Sequence, residues 1–83
     1  MASFIIDIDH IGDGDCNGKM FGNEEYLQSG KAKHKFKLFD DDGELYYEGR
    51  CGNSSSFDPL DWAMANDGCT DIQYFENGKW SSL

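Results

Sequence analysis

The stretch KAKHKFKLFDDDGELYYEGRC, residues 31–51, decides the fold. Apolar and polar residues alternate on both sides of the acidic turn DDDG, which is the pattern of a β-hairpin. In a type I turn here, Gly43 would take the left-handed position. We therefore predict a hairpin over residues 36–47 that turns at Asp41–Gly43, with Phe36 and Leu38 on one face of its first strand.

The opposite face of that strand carries a row of four lysines, Lys31, Lys33, Lys35 and Lys37. Such a row is typical either of a stripe that contacts phosphates or of a solvated strand face that also discourages edge pairing. Because the chain has a net charge of −9, we favour the solvated face.

The C-terminal segment TDIQYFENGKWSSL, residues 70–83, predicts a second hairpin over residues 72–82. Asn77-Gly78 is the strongest short hairpin signal in the chain. This turn would place Phe75 opposite Trp80 and Glu76 opposite Lys79, and such cross-strand pairs stabilise a sheet.

Another strand and two short helices complete the pattern. SFIIDIDHI, residues 3–11, predicts a strand with Phe4, Ile6, Ile8 and His10 on one face and Asp7 and Asp9 on the other. Residues 12–23 predict a loop. A helical turn would follow the N-cap Asn23 and end before Gly30. A second helix would begin at the N-cap Asp58, end at Gly68, and turn Leu60, Ala63 and Met64 towards the core.

These elements predict one α+β domain over residues 1–83: about five strands in a small antiparallel sheet built of hairpins, with one or two short helices. A chain of 83 residues buries a small core, which rarely supplies more than about 3–5 kcal/mol, so many such domains need a staple. We expect a metal site to provide it.

The net charge limits the classes of partner, and the cysteines indicate the cellular compartment. Sixteen acidic against seven basic residues argue against a direct nucleic-acid partner and favour a protein with a basic surface. The sequence shows no signal-peptide pattern and no membrane-spanning run. We expect a monomer in the cytoplasm of a bacterial host cell, where its three cysteines stay reduced.

The acidic loop DGDCNGKMFGNE, residues 13–24, matches a calcium-loop pattern. Asp13, Asp15 and Asn17 take ligand positions, Gly18 takes the turn, and Glu24 takes the bidentate position. A calcium-binding EF-hand, however, requires a helix on each side of the loop, whereas a strand pattern precedes this one. Calcium is therefore an alternative to zinc as the bound metal, as is no metal at all.

Zinc has the better case, because Cys3His is a standard tetrahedral ligand set. We predict that His10, Cys16, Cys51 and Cys69 hold one zinc ion, with His34 as the competing fourth ligand. The cysteine spacing lacks the paired C-x2-C pattern, so three small buried thiols are the alternative. No motif context for a nucleophile surrounds any cysteine, and we expect no enzymatic activity.

The run FKLFDDDGELYYEGRC…FDPLDWA…DGCTDIQYFENGKWSSL, within residues 36–83, resembles a group of short bacterial and phage-related proteins. They share the acidic hairpin, the PLD segment, GCT.IQY and the GKW ending, whereas DWAMAN departs from their more acidic and aromatic helix. Small size and strong acidity also resemble anti-CRISPR proteins, including a metal-containing inhibitor of a type II RNA-guided nuclease. The resemblance implies an inhibitor that occupies a protein surface.

Two classes of function follow. The first is an inhibitor whose carboxylates occupy a basic, nucleic-acid-handling surface of such a nuclease and block the loading of DNA. The second is a small structural or metal-binding domain whose charge serves only solubility. For the inhibitor, the predicted contact residues are Asp40, Asp41, Asp42 and Glu44, with Trp62 as a further contact and Asp13 to Asp15 as a second acidic cluster.

The zinc hypothesis predicts that chelation unfolds the protein, because metal binding at such a site contributes on the order of 10 kcal/mol to folding. Replacing Cys16, Cys51 or Cys69 with Ser should have the same effect. Elemental analysis followed by thermal melting with and without a chelator checks this. Zinc-free protein that melts cooperatively would contradict the hypothesis, and zinc loss on His34→Ala but not on His10→Ala would reassign the fourth ligand.

Overall fold

The computed structural model describes residues 2–83 and shows an α+β fold with a six-stranded antiparallel sheet and two short helices. The strands are β1 (Phe4–Asp9), β2 (Met20–Phe21), β3 (His34–Phe39), β4 (Leu45–Cys51), β5 (Asp71–Glu76) and β6 (Lys79–Ser82). The helices are α1 (Glu24–Gln28) and α2 (Asp58–Asp67). The strand order in the sheet is β2-β1-β4-β3-β5-β6.

Both predicted hairpins are confirmed. β3 pairs with β4, and the turn between them places Gly43 in the left-handed region, with a φ of 77°. β5 pairs with β6 through a turn in which Asn77 and Gly78 have φ of 54° and 82°. Positive φ at both central residues is the backbone of a type I′ turn. Phe75 lies opposite Trp80, as the sequence predicts.

The first strand departs from its predicted alternation. The register of β1 against β4 shifts between Ile6 and Ile8, which is a β-bulge. An extra residue moves every following side chain to the other face of a sheet. Ile8 is therefore 44% exposed and His10 is exposed, whereas Asp9 is buried at 7% exposure. The prediction that Ile8 and His10 lie on the core face, with Asp9 opposite, is wrong for this reason.

The hydrophobic core lies between α2 and one face of the sheet, where the alternating residues of the central strands are buried. Its members are Phe4, Ile6, Phe36, Leu38, Tyr47, Cys51, Leu60, Ala63, Cys69, Ile72 and Tyr74. Phe4 and Phe36 meet edge to face, with ring centroids 6.1 Å apart. This arrangement is favourable for aromatic pairs.

The second helix differs from its prediction in two details. Phe57 is the N-cap, and Asp58 is the first helical residue, whose carboxylate accepts a hydrogen bond from the backbone N–H of Ala2 at 2.6 Å. Leu60 and Ala63 are buried as predicted, but Met64 is 50% exposed. The buried stripe follows the i, i+3 direction of the helix, which turns Met64 towards solvent.

Gly49 is the point of closest approach in the sheet. A Cβ atom there would lie 2.1 Å from the carbonyl oxygen of Ile5 and 2.6 Å from Cζ of Phe36. The neighbour at 2.1 Å is backbone of the paired strand, so it cannot move without breaking the β1–β4 pairing. Only glycine fits at this position.

We expect Gly49→Ala to lower the free energy of unfolding by about 3 kcal/mol or more, because overpacking here displaces backbone as well as side chains. Gly30→Ala is the matched control, since a Cβ there meets nothing within 4 Å and only the positive φ of 79° is strained. That control should lose about 1 kcal/mol. Urea denaturation of both variants measures the difference, and equal losses would contradict the steric argument.

Candidate functional site

The acidic turn between β3 and β4 presents three of its four carboxylates to solvent. Asp41, Asp42 and Glu44 are exposed. Asp40 is half-buried, and its Oδ1 accepts hydrogen bonds from the backbone N–H groups of Asp42 at 2.9 Å and Glu44 at 2.8 Å. The N–H of Glu44 is the main influence that lowers the pKa of Asp40 below its ordinary value. Asp40 therefore shapes the turn, and the other three carboxylates are the ones available to a partner.

The second acidic segment, residues 10–18, is organised around the carboxylate of Asp9. One oxygen accepts hydrogen bonds from the N–H groups of Ile11 at 3.0 Å and Gly12 at 2.8 Å, and the other accepts from Cys16 at 3.1 Å. Burial is the largest single influence and raises the pKa of Asp9. The three N–H groups and the Cys16 thiol together outweigh it and lower the pKa below its ordinary value. The backbone N–H groups of this loop thus bind the Asp9 carboxylate of the protein itself.

The residues of the calcium pattern are used differently in this fold. The side-chain oxygen of Asn17 accepts a hydrogen bond from the N–H of Asp9 at 2.6 Å. Asp13 and Asp15 are exposed, and Glu24 begins α1 on the far side of β2. Within residues 2–83, no three His, Cys, Asp or Glu side chains are grouped so that they could hold a metal ion.

The structure also places two of the four predicted zinc ligands, Cys51 and Cys69, far apart. Cys51 pairs with His34 at one end of β3, whereas Cys69 precedes Thr70, whose N–H donates to Phe39 at the other end. Five residues of strand span about 17 Å. Two sulfur atoms bound to one zinc ion lie within about 5 Å of each other. Cys51 and Cys69 are both buried, and the fold does not bring them together.

The remaining candidate ligands have other partners. His10 Nε2 lies 2.8 Å from Glu48 Oε2, and His34 Nδ1 lies 2.6 Å from Glu76 Oε1.

Cys16 is half-buried beside Asp9. Burial, and then the Asp9 carboxylate, raise the pKa of its thiol. Burial raises the pKa of Cys69 to about 11. These thiols are protonated at neutral pH, which makes them poor nucleophiles.

A cleft of about 310 Å³ lies between the loop and α2, and no sequence pattern predicted it. Inside it, the Tyr47 hydroxyl donates a hydrogen bond to Asp67. Burial, and then this bond, raise the pKa of Tyr47. The alternation along β4 indicates that Tyr47 faces the core. It does not indicate that Asp67 on α2 is its partner, because twenty residues separate the two along the chain. Both polar groups satisfy each other.

Trp62, the further predicted contact residue, packs largely within the protein. Its ring centroid lies 4.9 Å from that of Tyr47 and 5.0 Å from that of Phe21. It is half-buried and also lines the cleft. A partner that reaches Trp62 would therefore touch the rim of the core, whereas the acidic turn projects freely.

Comparison of the chain with protein-family models, curated proteins and solved structures finds no match. The resemblance to anti-CRISPR proteins therefore stays a prediction. Among residues 2–83, neither helix has the length and apolar character of a membrane span.

We expect Asp9→Asn to destabilise the protein by about 1–3 kcal/mol at neutral pH, because an amide NH2 group would face a backbone N–H donor. The pKa of Asp9 is lowered from its ordinary value of 3.8. Its stabilisation is therefore present above that value and is lost as the pH falls through the folded-state pKa. Urea unfolding at neutral and acidic pH measures both effects. Asp15→Asn, at an exposed position, is the control and should change little. An equal effect of the two variants would contradict the role of Asp9.

Proposed function

We propose that this protein is an inhibitor that binds a basic, nucleic-acid-handling surface of another protein and keeps nucleic acid from that surface. The observation that carries the proposal is the acidic turn, with Asp41, Asp42 and Glu44 exposed at the tip of the β3–β4 hairpin. The expected target is a type II RNA-guided nuclease, and the expected step is the loading of DNA. The choice of target rests on the resemblance to anti-CRISPR proteins.

The geometry of the turn supports this proposal because hydrogen bonds hold the backbone that carries the carboxylates in one conformation before binding. The backbone N–H of Asp40 donates to the carbonyl of Glu44 at 3.1 Å, and Gly43 donates to the carbonyl of Asp40 at 3.1 Å. The Asp40 carboxylate fixes the same loop by accepting hydrogen bonds from the N–H groups of Asp42 and Glu44. A partner would therefore not have to order the loop, and preorganisation of this kind favours affinity.

Electrostatics supports the same proposal. A chain of net charge −9 is attracted to a groove lined by lysine and arginine, and its carboxylates can take the places of phosphates. Such attraction speeds association and weakens with salt, since the Debye length is about 8 Å at physiological ionic strength. No catalytic group is required, because occupation of the groove is itself the inhibition.

The test is target-DNA binding and cleavage by guide-loaded type II nuclease in the presence of excess protein. We expect both to be inhibited, and more strongly at about 0.1 M than at about 0.5 M salt. Full cleavage at saturating protein would refute the proposal for this nuclease.

The contact surface is tested by replacing Asp41, Asp42 and Glu44 together with Lys. This variant keeps Asp40, which the turn needs, and should weaken inhibition by about 10-fold or more, because each close interfacial charge pair couples by about 1.5 kcal/mol or more. The matched control replaces Glu24, Glu25 and Asp61, three exposed carboxylates away from the turn, with Lys. Equal weakening by both variants would show that net charge, and not the turn, drives binding.

A further inference from the structure

The face of the sheet opposite α2 carries a cationic and aromatic surface in an otherwise acidic protein. Lys35 pairs with Arg50 across β3 and β4, and Phe75 pairs with Trp80 across β5 and β6. Lys37 follows on the same face of β3. Lys35 and Phe75 are exposed and the other three side chains are half-buried. We call these five residues the open-face patch.

The cations of the patch are available to an anionic ligand. Neither Lys35 nor Lys37 forms an ion pair with any residue between 2 and 83, and Lys37 Nζ lies 4.3 Å from the Trp80 ring centroid. Arg50 is held by Asp7 through two hydrogen bonds of 2.9 and 2.8 Å. That pair fixes the guanidinium group and leaves the two lysines as the mobile charges.

The aromatic rings adjoin these charges. Phe75 and Trp80 have ring centroids 5.2 Å apart, and Phe75 is 39% exposed although it is a large apolar side chain. A shallow groove of about 280 Å³ runs from Trp80 across Lys35, Lys37 and Arg50 to Ile8, and the carboxylates of Asp7 and Glu48 also line it. The sequence showed the lysine row alone, and the fold adds the aromatic wall and the arginine.

We propose that the open-face patch binds single-stranded nucleic acid, with bases stacked on Trp80 and Phe75 and phosphates bound by Lys35 and Lys37. Aromatic rings beside a cationic groove are the usual means of binding single strands, and each stacked base contributes about 1–3 kcal/mol. Lys37 covers the indole in the free protein, and its flexible side chain can move to a phosphate when a base replaces it. A flat face has no helix or ribbon to enter a duplex groove, so single strands are the substrate class.

The net charge opposes this binding less than the sequence suggests, because the acidic groups of the turn lie elsewhere. Along the strand, Asp40 is five residues from Lys35 and three from Lys37, which corresponds to about 17 and 10 Å. Both distances exceed the Debye length of about 8 Å at physiological ionic strength. Two carboxylates lie nearer: Asp7, which is bonded to Arg50, and Glu48, which is opposite Lys37 in the sheet and 2.8 Å from His10. Three cations thus share the groove with two carboxylates that already have partners, which leaves Lys35 and Lys37 for phosphates. This inference does not depend on the proposed inhibitor function.

The experiment is fluorescence anisotropy of labelled oligouridine and oligothymidine of about 12 nucleotides, a length within the usual single-strand site sizes. The intact protein is titrated at about 0.1 M salt. We expect saturable binding that is at least about 10-fold weaker in Trp80→Ala, the loss expected for one stacked base. Lys35→Glu/Lys37→Glu should weaken it by a similar factor, because it replaces two phosphate contacts with like charges. Lys19→Glu/Lys31→Glu, at two exposed positions outside the patch, is the matched control with the same net charge and should bind like the parent.

The outcomes are separable because no nuclease is present. No anisotropy change up to about 1 mM protein, equal loss in both double variants, or equally tight binding of a matching duplex would overturn the proposal. Circular dichroism confirms that each variant is folded. Concentration-dependent sedimentation that depends on Lys35 and Lys37, without strand binding, would also overturn it and would assign the patch to self-association.

Discussion

The pairing of β4 with both β1 and β3 is the constraint on which the rest of the structure depends. β4 lies between these strands, and Gly49 lets the carbonyl of Ile5 and the ring of Phe36 approach its backbone. Any side chain there would force the strands apart. The core face on which α2 packs and the opposite open face both exist only because this central pairing is close.

The bulge in β1 is the second determinant, because it carries Asp9 to the buried side. There the carboxylate accepts hydrogen bonds from three backbone N–H groups and holds the acidic loop in place. A loop that matched a calcium pattern is thus built around a side chain of its own protein. The fold also places Cys51 and Cys69 at opposite ends of β3.

Two regions of the surface differ in charge, and each suggests its own partner. The acidic turn projects from the end of the β3–β4 hairpin, while Lys35, Lys37 and Arg50 lie together on the open face. The net charge of −9 is a sum over the whole chain and does not show this difference. At physiological ionic strength, however, a ligand responds mainly to charges within about 8 Å. Opposite partners on one small protein are therefore compatible.

The sequence by itself determined the two hairpins, their turns and the α+β class, because alternation and the DDDG and NG turns are local signals. It did not determine which residues meet across the sheet. The bulge that reverses Ile8 and Asp9, the separation of Cys51 from Cys69, and the grouping of lysines with Trp80 all depend on strand register and order. These are set by contacts between residues far apart in the chain, and only the tertiary structure decides them.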